Sequence, residues 1–201
     1  MTHPASTSQR WLLTAWRLLV AASALVGFGY AVTTFVEPWH ALSQQASLLT
    51  GVVYLGLAVF AGRSEEVATW LRGGMAVLLV LVCVTYLTLI SGDLHTTASL
   101  FEHLVTPLVV LADWAVVGRT VGLRWWFPLS WVVFPLAYLI YFVLADVQLY
   151  RNFLDPTSAS FGLTVLEFML ALVVAGYVLY GAARLRSSAA VRLALTPEEA
   201  A

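Results

Sequence analysis

Charge is what this chain has least of. Only 10% of its 201 residues are Asp, Glu, Lys or Arg, against 61% hydrophobic, and the formal net charge is -1. Lysine is absent, so all 10 basic residues are arginine. Charge this sparse and this balanced gives no electrostatic footprint for nucleic acid and no field for acidic partners. The single cysteine, Cys83, excludes an intrachain disulfide and a thiolate metal cluster. Inside an apolar run it reads as a small buried hydrophobe. Glycine-rich phosphate loops and dinucleotide fingerprints are missing as well.

What the chain has is long apolar runs, and a mean hydropathy of +0.87 places it among integral membrane proteins. The runs cover about 18-36, 42-60, 74-91, 100-117, 125-144 and 162-181, each close to the ~20 residues a bilayer core requires. The first follows a polar leader as a signal sequence would, but its apolar run is too long for one and further spans follow. The expected fold is all-α, an integral membrane six-helix bundle forming a single membrane domain over 1-201, with no linker and no internal repeat.

Arginine placement orients the bundle. Arg10, Arg17, Arg63, Arg72, Arg119, Arg124, Arg184, Arg186 and Arg192 fall in connections on one side, and only Arg151 falls on the other. The positive-inside rule puts the first group, and with it both termini, in the cytoplasm. Ser43, Gln44, Gln45 and Ser47 then lie near the outer boundary, with Thr50 deeper, and Glu102, His103, Tyr138, Tyr141 and Glu167 at similar outer levels. Together they would line a cavity in the outer leaflet.

The stretch from Phe101 to Trp114, FEHLVTPLVVLADW, is the most unusual. Ionisable groups inside a membrane helix mark function by default. His103, Thr106, Val110 and Asp113 share one helical face, and Pro107 cannot bond the carbonyl of His103. Asp113 lies roughly 15 Å below His103, toward the cytoplasmic arginines. On helix two, Ser43, Ser47, Thr50 and Tyr54 form a hydroxyl stripe. A serine becomes a nucleophile when a base removes its proton, so Ser43 and His103 are the candidate catalytic pair. Gln44, Gln45 and Thr106 are candidate oxyanion donors, while Ser47, Thr50, Glu102, Tyr138, Tyr141 and Glu167 are candidate pocket residues. The bland alternative is that the hydroxyls bond their own helix or a neighbouring one. A metal site built from His40, Asp93, His95, Glu102 and His103 also competes, without diagnostic spacing.

HLVTPLVVLADW from His103, FPLAYLIY from Phe134 to Tyr141 and FLDP from Phe153 to Pro156 carry a family likeness. With them the chain resembles bacterial six-helix relatives of the androgen-induced and androgen-dependent membrane hydrolases, intramembrane threonine hydrolases of fatty acid esters of hydroxy fatty acids. The resemblance implies that His103 is the catalytic histidine. It also implies that Ser43, following Leu42, stands where the family has its threonine nucleophile. The expectation is an outer-leaflet hydrolase of a lipophilic ester in a bacterial cytoplasmic membrane, needing no cofactor or metal and taking membrane lipid as substrate. A non-enzymatic lipid-binding protein, or a proton or amphiphile transporter, is the alternative.

Overall fold

A computed structural model describes residues 7–60, 64–117 and 120–195, with side chains as far as residue 188, and among these there is no strand. Six helices are long and apolar enough to cross a membrane. They are α1 (Thr7–Thr34), α2 (Leu42–Val59), α3 (Glu65–Ile90), α4 (Thr97–Val117), α5 (Phe127–Leu144) and α6 (Phe161–Leu195). Large apolar side chains point outward on every one, among them Leu19, Val52, Val84, Leu108, Ile140 and Val174. Such a belt suits lipid and not water. The chain is a multi-pass membrane protein.

α1, α3 and α4 start several residues earlier than their apolar runs. α3 begins at Glu65 instead of near Gly74 because Ser64 accepts the Val67 N–H, and Glu65 and Glu66 occupy the positive first turn. This draws Arg72 out of the expected loop and into the bundle, where it is 2% exposed. Arg63 and Arg119 lie outside the described residues, as does the side chain of Arg192.

Prolines shape α4 and α5. The helix α5 breaks at Trp131 and Val132, since Pro135 has no N–H for the Trp131 carbonyl. α4 opens into a wide i+5 turn over Phe101–Val105, directly before Pro107. Further wide turns close α3 (Tyr86–Ile90) and α4 (Asp113–Val117). Gly92, at φ 67, ends α3 by donating its N–H to the Tyr86 carbonyl at 3.1 Å.

Burying apolar surface gains little in a bilayer, so close packing and polar contacts hold the helices together. α1 lies along α2, and its Gly27 lets α4 approach until a Cβ there would stand 3.1 Å from Glu102 Cγ. Trp131 of α5 fills the space above Gly73 of α3. α6 buries the least of itself, at the periphery. Helices α2 and α4 run parallel and in register: Ser43 meets Glu102 and Tyr54 meets Asp113, both pairs 59 residues apart. The end carrying the start of α1 and the end of α6 is called the terminal end; the opposite one, covered by residues 145–160, is the loop end.

Candidate functional site

The register of α2 and α4 builds a polar seam through the bundle. Ser43, Ser47, Thr50 and Tyr54 are all buried on one side, and Glu102, Thr106 and Asp113 on the other. At the terminal end the seam closes on Asp113, which is 1% exposed. Its carboxylate accepts from Trp16 Nε1 at 3.0 Å, Tyr54 OH at 2.8 Å and Arg72 Nε at 2.5 Å. The Arg72 guanidinium also donates to the Asp113 carbonyl at 2.9 Å and lies 5.7 Å from the centre of the Trp114 ring. A buried carboxylate with a buried counter-charge and three donors is a finished structural element.

At the loop end the arrangement differs. Ser43 Oγ donates to Glu102 Oε2 at 3.0 Å, whereas Glu102 Oε1 is buried without a partner. His103 does not hydrogen-bond Ser43. Its Nδ1 sits 3.0 Å from the Ser99 carbonyl, and its ring stacks on Tyr86 with centroids 3.5 Å apart. A ring nitrogen facing a carbonyl carries the proton, which leaves Nε2 as the basic nitrogen. The group hydrogen-bonded to Ser43 is thus Glu102 and not His103. The two neighbours diverge: Glu102 is buried against Gly27 of α1 and Ser43 of α2, and His103 against Tyr86 at the end of α3.

Ser43 and His103 still meet in one place. Both line a cavity of about 80 Å³ at the loop end, walled by Leu81, Pro135, Leu139, Leu154 and Met169. That is room for several waters or a short apolar chain segment. Tyr138, Tyr150 and Tyr86 give it polar points on an apolar wall. Tyr150 reaches in from the 145–160 loop, and its oxygen accepts the Leu42 N–H at 3.1 Å. Burial pushes the Tyr150 phenol up from its ordinary value, so it remains a neutral donor. No side chain caps α2. The first-turn N–H groups of Ser43 and Gln44 consequently lack an intrahelical acceptor and lie at the positive end of the helix.

The remaining expected residues divide. Tyr138 lines the cavity and donates to the His40 carbonyl at 2.6 Å; Tyr141 packs against Tyr138 from outside it. Gln44, Ser47, Thr50 and Thr106 are buried between helices and do not line the cavity, and Thr50 Oγ1 donates to Met75 Sδ at 3.6 Å. Gln45 faces a different groove and donates to the Trp39 carbonyl at 2.7 Å. Glu167 is exposed on the outer face of α6, away from the cavity, because α6 meets the bundle through its other side. Among the described residues His40 pairs with Glu37 and His95 is 97% exposed, and no metal-binding group of three His, Cys, Asp or Glu side chains forms.

Sequence reasoning missed Tyr86 and Tyr150 as site residues and Trp16 as a partner of Asp113, whereas the expectation that Asp113 lies toward the arginines holds in its pairing with Arg72. Equal separations between the two polar stripes were the available signal for the seam. No family model, curated protein or solved structure matches the chain.

Proposed function

We propose that this protein is an intramembrane hydrolase of a lipophilic ester of the fatty-acid-ester type, with Ser43 as nucleophile. One observation carries the reading: the Ser43 hydroxyl is bonded to a buried carboxylate, Glu102 Oε2 at 3.0 Å, at the wall of an apolar cavity. Ser43 also stands in the first turn of α2, where the helix end favours developing negative charge. The resemblance to the androgen-induced and androgen-dependent hydrolases agrees in placing a hydroxyl and a histidine at this level.

In the proposed reaction Ser43 Oγ attacks the ester carbonyl and its proton passes to Glu102 Oε2. First-turn N–H groups of α2, with Tyr150 as a neutral donor beside them, would hold the oxyanion. Collapse breaks the ester bond, and Glu102 returns the proton to the departing alcohol. His103 Nε2 then takes a proton from the water that cleaves the acyl-serine, and passes it to the Ser43 oxygen as the acid leaves. No cofactor enters these steps.

Arg10, Arg17, Arg72, Arg124, Arg184 and Arg186 belong to the terminal half and Arg151 to the loop end. That bias supports termini in the cytoplasm of a bacterial cell, and hence a cavity in the outer leaflet. A second reading, a non-enzymatic carrier of a proton or amphiphile, is favoured by the buried oxygens without partners on Glu102, Ser47 and Thr106. Hydrolysis of a panel of fatty esters by purified protein separates the two. Turnover lost in Ser43→Ala supports the hydrolase; equal turnover in wild type and Ser43→Ala, or none in either, rejects it.

A further inference from the structure

Glu102 poses a problem of charge. It is 1% exposed in the interior of a membrane protein, and among the described residues its only hydrogen bond comes from Ser43. Among the described residues no arginine or histidine forms an ion pair with it. A carboxylate out of water without a counter-charge has to be neutralised, by a proton or by a cation. Its second oxygen, Oε1, is buried with no partner.

Three more buried side-chain oxygens share this condition, Gln44 Oε1 beside Ser43 and two hydroxyls deeper in the seam. Ser47 Oγ and Thr106 Oγ1 belong to residues that are 0% exposed, and neither has a hydrogen-bond partner. Ser47 stands one turn below Ser43 on α2, and Thr106 follows the wide turn below Glu102 on α4. The register fixed by the Ser43–Glu102 and Tyr54–Asp113 bonds sets them opposite one another. The main chain contributes as well. Thr106 N–H donates to the Phe101 carbonyl across the wide turn. The next bond in that register, from residue 107 to the Glu102 carbonyl, meets a proline and cannot form. Buried polar groups are rarely left unpaired, so several of them within about one turn along the α2–α4 seam call for an occupant.

We infer that the Glu102 carboxylate, Ser47 and Thr106 form a Na⁺ site between α2 and α4, beside the cavity. The donor set is oxygen only, which suits a hard cation and excludes a softer transition metal. It holds one carboxylate, so a monovalent ion leaves the interior neutral and a divalent one does not. Interrupted helices with freed carbonyls are where membrane proteins hold Na⁺. Bound at Oε1, the ion keeps Glu102 ionised and leaves Oε2 to accept from Ser43. The site stands whether or not Ser43 turns over an ester.

Thermal unfolding of the detergent-purified full chain in NaCl and in choline chloride of equal ionic strength tests this, with no ester or probe present. Na⁺ is expected to raise the wild-type midpoint by a few degrees, saturably. Glu102→Gln and Thr106→Val should each lose the response while keeping the wild-type midpoint in choline. A wild-type midpoint that is the same in both salts overturns the site. So does a Na⁺ response that survives in Glu102→Gln or in Thr106→Val, and the second variant decides the matter if the first fails to fold.

Discussion

Asp113 and Glu102 are both acidic, both 1% exposed and about three turns apart on α4, yet they are treated oppositely. Asp113 receives three side-chain donors, one of them an arginine; Glu102 receives one serine hydroxyl and keeps an oxygen bare. The first arrangement ties α1, α2, α3 and α4 together at the terminal end. The second costs stability and sits against a cavity. Satisfied polar groups hold a membrane bundle together, and unsatisfied ones mark where it works.

Breaking Asp113 should have the largest effect. Asp113→Ala strands the Arg72 guanidinium inside the bundle and should cost about 3–5 kcal/mol in thermal or denaturant unfolding. Glu102→Gln, measured alike, should cost less than about 1 kcal/mol, because only one neutral donor is involved. The double variant Asp113→Leu with Arg72→Met should regain most of the loss, since apolar pairs of similar volume replace buried ion pairs at little net cost. Failure of that rescue would mean that the terminal cluster does more than hold helices.

Pro107 sharpens the comparison from the other side. Pro107→Ala restores an N–H, so the wide turn should close to i+4 spacing and swing Glu102 away from Ser43. Ser43 reactivity toward a fluorophosphonate should fall at least about tenfold, while stability holds or rises by up to about 3 kcal/mol. Retained reactivity would detach Glu102 from the role assigned to it.

The smallest effect belongs to Tyr150. A phenol raised in the folded state supports folding while it is protonated. Its contribution is therefore complete below the ordinary tyrosine value of about 10 and fades as pH rises past it. Unfolding midpoints across the alkaline range should fall more steeply for wild type than for Tyr150→Phe.

Much of this was legible from residue order. Apolar run length located all six spanning helices, since lipid demands it, and helical spacing picked out both polar stripes. The partner of Ser43 was not legible, because residue order does not say how α4 is rotated about its axis, and Glu102 and His103 stand equally close to the level of Ser43. Tyr150 was hidden because nothing local ties a loop residue to α2, which it meets across 108 positions. Glu167 misled because α6 is apolar almost all round, so its sequence does not say which side meets the bundle.

The most direct measurement is fluorophosphonate labelling of purified protein with peptide mass mapping, in wild type, Glu102→Gln and Asp113→Asn. An adduct on Ser43 in wild type and Asp113→Asn, largely lost in Glu102→Gln, is the predicted result. An unlabelled Ser43 in folded wild type, or equal labelling in Glu102→Gln, would contradict the claim that the open carboxylate is the working one.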